Sequence, residues 1–154
     1  MDGKIVSNVI SDVICTELKQ FPDDRGAVLH MLRNDDPLFS TFGECYFSEV
    51  LPGAVKAWKL HRNQTQCFSV PVGRIKLVIY DSPKGSNSNG TVQSIILGRP
   101  DSYIRVMIPP GLWYGFTCVS EIPALLVNCT DTPHDPEENE IKAADDLSIP
   151  YKWS

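Results

Sequence analysis

Long apolar runs, an excess of basic residues and paired cysteines are all missing from this chain of 154 residues. No stretch approaches the roughly 20 apolar residues of a membrane-spanning helix, so no membrane partner is expected. Lys and Arg number 14 against 19 Asp and Glu, a net charge of -5. Without a basic stripe to follow phosphates, nucleic-acid binding is excluded, although a small phosphorylated ligand needs only a few local cations. The start, Met1-Asp2-Gly3-Lys4-Ile5-Val6, lacks the charged head, apolar middle and small-residue cleavage site of a signal peptide, so the expected compartment is the cytoplasm. The cysteines, Cys15, Cys45, Cys67, Cys118 and Cys129, are odd in number and contain no Cys-x-x-Cys pair. They read as reduced, strand-borne small hydrophobes, which excludes a disulfide frame or a zinc site.

What is present is β signal. The length suits a single domain over residues 1–154 with a real core. Residues 11–21 alternate and reach a turn at Pro22-Asp23-Asp24-Arg25-Gly26, and residues 27–33 return as a second strand. A loop or short helical turn over 34–41 precedes strands at 43–50 and 55–61. Nearly continuous β signal runs over 67–81 with Gly73 at its corner. Ser82 to Gly90 is the most flexible loop by composition. Strands follow at 92–97, 103–108, 113–119 and 124–129, and the one tolerable helix is 137–144. Many short strands with regular turns mean a sandwich or a barrel.

The chain is organised around Val55-Lys56-Ala57-Trp58-Lys59-Leu60-His61. Strict alternation would put Val55, Ala57, Lys59 and His61 on one face and Lys56, Trp58 and Leu60 on the other. A Lys and a His facing inward are costly to bury without a reason. The plainer reading of His61 is a satisfied histidine near a strand end.

Further on, Pro109-Pro110-Gly111-Leu112-Trp113-Tyr114-Gly115-Phe116 has the Pro-x-Gly corner typical of cupin barrels. The expected fold is therefore an all-β cupin jelly roll, a double-stranded β-helix. Metal-binding cupins carry a histidine at the position of Tyr114, and a His-x-His followed by a Glu. Here the corresponding stretch is Lys59-Leu60-His61, with no Glu before Gly73. No metal and no other cofactor is implied.

From about Phe21 to Trp153 the chain resembles the dTDP-4-dehydrorhamnose 3,5-epimerase family of nucleotide-sugar cupins. The landmarks are Asp24-Arg25-Gly26, Leu60-His61, Gly73 to Asp81, Pro109 to Phe116, and the closing Asp146-Leu147-Ser148-Ile149-Pro150-Tyr151-Lys152-Trp153. The resemblance implies an epimerase of a nucleotide-linked 4-keto-6-deoxy sugar in deoxysugar or polysaccharide biosynthesis. It implies His61 as general base, Asp146 as the carboxylate orienting it (Asp145 one step away as the fallback), and Arg25 on the nucleotide diphosphate. It also implies a homodimer exchanging N-terminal strands, with Ile5-Val6 and Val9-Ile10 as the β-prone segment. The departures are specific. Trp58 and Lys59 replace the family's Arg-Gly before the histidine, Gln66 falls where the family has a catalytic lysine, and Asn128 where it has a catalytic tyrosine.

A neutral imidazole with a carboxylate on its other nitrogen can take a proton next to a ketone. The oxyanion that forms wants a cation, which Lys59 offers, or Lys59 is a plain strand-end lysine. Tyr114 is the candidate for returning the proton, or a core-edge aromatic. Lys56 and Arg62 are candidates for a diphosphate. Trp58 is a candidate for stacking on a base or sugar, and His134 for a place near the sugar. Two functions remain open: an epimerase, or a silent cupin that binds a sugar nucleotide.

Overall fold

The computed structural model describes residues 5–6, 9–83 and 90–153. Among these there are thirteen strands and no helix. Most of the expected loop at Ser82 to Gly90 lies outside the described residues, as do residues 1–4, 7 and 8 of the N-terminal segment. No helix among the described residues is long and apolar enough to cross a membrane.

Two antiparallel sheets face each other. The six-stranded sheet runs β1 (Ile5–Val6), β2 (Ile14–Glu17), β10 (Ile104–Ile108), β7 (Gln66–Val72), β12 (Ala124–Thr130), β5 (Glu44–Val50). The five-stranded sheet runs β13 (Asn139–Ile141), β6 (Val55–His61), β11 (Trp113–Cys118), β8 (Arg74–Asp81), β9 (Thr91–Gly98). A separate hairpin, β3 (Gln20–Asp23) and β4 (Gly26–Leu29), carries the turn at Arg25. This is the cupin jelly roll expected from the strand spacing and the Pro-x-Gly corner. Gly73 joins β7 to β8 at φ +72°, where an added Cβ would meet the Ala124 backbone at 2.6 Å. Only glycine fits that corner.

The faces of β8 show how the layers divide. Ile75, Leu77 and Ile79 join Phe68, Leu126 and Phe116 between the sheets. Val78 and Tyr80 point outward into a second cluster with Trp58, Trp113 and Ile149, which Tyr151 and Trp153 cover. The chain end folds back over the outer face of the five-stranded sheet.

Strict alternation fails on β6. The pairing with β11 shifts at Tyr114/Gly115, so that Tyr114 opposes Lys59, Gly115 opposes Ala57 and Phe116 opposes Lys56, leaving Trp58 as the extra residue of a bulge. Directly paired residues share a face. Lys56 therefore points inward with Phe116, and Lys59 with Tyr114, while Trp58 turns outward into the C-terminal cluster. Gly115 permits this close crossing, because a Cβ there would lie 2.4 Å from Ala57 Cβ.

The helix expected over 137–144 is absent; β13 occupies its middle, with Asn139 opposite His61 and Ile141 opposite Lys59. The acidic start that suggested a helix is instead an edge strand completing the sheet next to β6. All five cysteines are free, but Cys45 is exposed rather than packed as a small hydrophobe. Its Sγ lies 3.4 Å from that of Cys129, its cross-strand partner.

Candidate active site

β6 ends by placing His61 inside the barrel, 6% exposed. Its Nδ1 meets the Glu138 carboxylate, and its Nε2 lies 3.1 Å from the Tyr114 hydroxyl. Glu138, just ahead of β13, is itself fixed. The backbone N–H groups of Asn63 and Gln64 donate to its Oε2 at 3.0 and 3.1 Å. A carboxylate only accepts, so Nδ1 carries the hydrogen, Nε2 keeps the lone pair, and Tyr114 donates to it.

The charge states agree with that arrangement. Burial, the largest influence on His61, holds its pKa below the ordinary 6.5 and outweighs the pull of Glu138 in the other direction; Lys59 and His134 lower it further. Burial pushes the Glu138 carboxyl up, but the Asn63 N–H, His61 and the Gln64 N–H together outweigh it and hold it below the usual range. At neutral pH the pair is a neutral imidazole on an ionised carboxylate. Burial keeps the Tyr114 phenol protonated well above its ordinary range.

Beside the dyad is a cavity of about 290 Å³ between the sheets, lined among others by Lys56, Lys59, Tyr114, Tyr46, Ser48 and Phe68. Lys56 Nζ donates to Ser48 Oγ at 2.8 Å, so one cation is held at the wall by the opposite sheet. On the far wall Asn128, fully buried, donates from Nδ2 to Tyr46 Oη at 2.9 Å and to Gln66 Oε1 at 2.7 Å. Among the described residues no three His, Cys, Asp or Glu side chains are grouped so as to hold a metal ion.

Several expected site residues are placed elsewhere. Asp146 does not reach His61. It lies in a turn where it accepts from Ser148 N and Oγ at 2.8 and 2.5 Å, on the outer side of the sheet whose inner side carries the histidine. The fallback Asp145 is exposed in the same turn. The carboxylate partner of His61 is Glu138, hidden from a sequence reading because it stands in an acidic run that resembled the start of a helix. Trp58 does not offer its ring for stacking on a ligand. It is 1% exposed, packs on Tyr151 and Trp153 and donates from Nε1 to Ala144 O at 3.2 Å. Arg25 is on the exposed hairpin tip, paired with Asp23 at 2.8 Å. Arg62 is tied to Glu137 O and Glu140. His134 is exposed, yet close enough for its charge to bear on His61. Tyr114 stands on the base's side, committed to Nε2. Tyr46 was missed altogether, since an aromatic in an alternating strand carries no signal of its own.

A jelly roll whose inner face carries a histidine–glutamate dyad, two lysines and two phenols defines a cupin built for proton chemistry. The family model described as dTDP-4-dehydrorhamnose 3,5-epimerase matches residues 7–154, and the chain belongs to that family. A solved structure of a dTDP sugar isomerase from Desulfovibrio desulfuricans G20 is 49% identical, with a TM-score of 0.94 over 96% of this chain and 94% of that one. The probable low-salt glycan biosynthesis epimerase Agl13 of Haloferax volcanii is 33% identical over 92% of this chain and 88% of its own. The spore coat polysaccharide biosynthesis protein SpsL of Bacillus subtilis is 28% identical over 95% and 97%.

Proposed function

We propose that the protein is a cytoplasmic epimerase acting on a dTDP-linked 4-keto-6-deoxy sugar in polysaccharide or deoxysugar biosynthesis. The observation that carries this reading is the ionised Glu138 on Nδ1 of a neutral, buried His61. That pair takes a proton next to the C4 ketone at Nε2, and the carboxylate stabilises the imidazolium. Lys59, on the same face, is the cation for the enolate oxygen. Lys56 at the cavity wall is the source of charge for the diphosphate, and the cavity itself suits the sugar ring. Gln66 and Asn128, buried and bonded to one another, back the cavity wall behind Tyr46, and His134 stands at the edge of the sugar.

The test is deuterium wash-in from heavy water at C3 and C5 of a dTDP-linked 4-keto-6-deoxyhexose, followed by NMR. His61→Ala is expected to slow exchange by about 10²–10⁴-fold with ligand binding retained. Exchange that survives His61→Ala would sink the assignment of the base. A second reading has its own support: the family's lysine and tyrosine positions hold Gln66 and Asn128, bonded to one another. Thermal stabilisation by dTDP with no exchange on any such sugar would make the protein a silent binding module.

The working form is a homodimer. β1 pairs with β2 at the end of the six-stranded sheet, and a partner's β1 in that place protects the same edge. Light scattering is expected to give a dimer for the full chain and a monomer for protein lacking residues 1–10. A truncated chain that remains dimeric would rule out strand exchange.

A further inference from the structure

Inverting a carbon needs a base on one face of the sugar and an acid on the other, and two phenols line the cavity from opposite sheets: Tyr114 on β11 and Tyr46 on β5. Their hydrogens are committed differently. Tyr114 donates to Nε2 of His61, so its proton belongs to the base.

The direction of bonding at Tyr46 follows from the backbone. Asn128 Oδ1 accepts from the Cys67 N–H at 2.9 Å, and a backbone N–H cannot accept, so the amide has only one orientation. Its Nδ2 donates to Tyr46 Oη and to Gln66 Oε1. Gln66 Nε2 donates to Gln64 Oε1 at 2.8 Å, and Gln64 Nε2 to the carbonyl of Thr132 at 2.7 Å. A backbone donor at one end and a backbone acceptor at the other set the sense of every bond between them. Flipping any of the three amides would face donor with donor. Tyr46 oxygen therefore accepts, and its own hydrogen is left for the cavity. The ring is 39% exposed, open to a ligand. Burial holds the phenol in its protonated form, against the opposing pull of Asn128.

We propose that Tyr46 is the acid that delivers a proton to the substrate carbon on the face opposite His61. The proposal rests on the epimerase reading. The Tyr114 hydroxyl rotates its hydrogen away, His61 Nε2 takes the substrate proton with the lone pair so released, and the electron pair of the broken C–H bond becomes the enolate. That pair then takes the Tyr46 O–H proton from the other side, restoring the ketone with the carbon inverted and leaving a phenolate. The Asn128 N–H stabilises the phenolate, as does the Lys56 ammonium in the same cavity. Solvent at the mouth returns a proton to Tyr46 and removes one from His61, so the protein ends as it began. Tyr46 thus supplies, from the neighbouring strand, the phenol that Asn128 does not.

Exchange and inversion separate the two groups. In heavy water, Tyr46→Phe is expected to exchange the substrate proton at close to the parent rate, because abstraction and same-face return need only His61. Inversion, read by NMR of the product, is expected to fall by about 10²–10⁴-fold. Asn128→Asp keeps the acceptor for Cys67 but turns an acceptor toward Tyr46, tying up its hydrogen, and also toward Gln66 Oε1, which lowers stability. It is expected to show the same split, with a thermal melt confirming the fold. Tyr46→Phe protein that inverts at the parent rate overturns the proposal, as does one in which exchange and inversion fall in equal measure. Parent protein that neither exchanges nor inverts overturns the epimerase reading itself, a different failure.

Discussion

Glu138→Gln is expected to fold normally and to lose about 10³–10⁴-fold in turnover, the scale seen when the carboxylate behind a catalytic histidine becomes an amide. The backbone N–H groups of Asn63 and Gln64 both donate to one oxygen of Glu138. In the glutamine they hold the carbonyl, so the NH2 faces His61 Nδ1. Nδ1 must then accept, the ring hydrogen moves to Nε2, and the nitrogen that faces Tyr114 is no longer a base. A pH profile distinguishes this from general damage. In the parent, activity is expected to rise with pH as His61 deprotonates, with a midpoint below the ordinary 6.5 because burial lowers it. Glu138 is the one influence raising that pKa, so its removal is expected to move the acid limb to still lower pH while the plateau falls. A variant with unchanged turnover, or a limb displaced to higher pH, would mean that Glu138 does not position the base.

The second large effect concerns stability. Arg105 on β10 has no exposed surface and pairs with Asp36 at 3.0 Å, while its Nη1 donates to Met31 O at 3.1 Å. Asp36 also accepts from Leu38 N at 2.8 Å. The pair pins the segment between β4 and β5 against the outer face of the six-stranded sheet. Removing one partner leaves a buried charge, so Arg105→Met is expected to destabilise by about 3–5 kcal/mol. Adding Asp36→Asn keeps the acceptor for Leu38 and removes the orphaned charge. The double variant is expected to be more stable than Arg105→Met alone. Urea midpoints at unchanged m-value measure both, and a single variant within 1 kcal/mol of the parent would show the pair to be unimportant.

Local patterns carried much of this protein. Alternation and turn composition were enough for most strands, because a residue pair's face depends only on its neighbours along the chain. The Pro109 to Phe116 corner and the apolar alternation on both sheets specified a jelly roll. His61 was recognisable because an inward histidine at a strand end is costly and so stands out. Other features depend on which strands meet. The bulge on β6 arises from Gly115 across the sheet, and it reverses the faces of Lys56 and Ala57 relative to simple alternation, while Trp58 stays opposite to His61. Glu138 reaches His61 only because residues 139–141 pair with β6, a contact across 77 residues that an acidic run does not announce. Asp146 had the right spacing from the chain end but falls on the wrong side of the sheet, since the outer apolar cluster draws Ile149, Tyr151 and Trp153 there. The sequence by itself determined most of the strands, the barrel and the histidine that stands out at the end of β6. The tertiary structure decided which carboxylate meets that histidine and which phenol faces it, because both depend on side chains meeting across the barrel rather than along the chain.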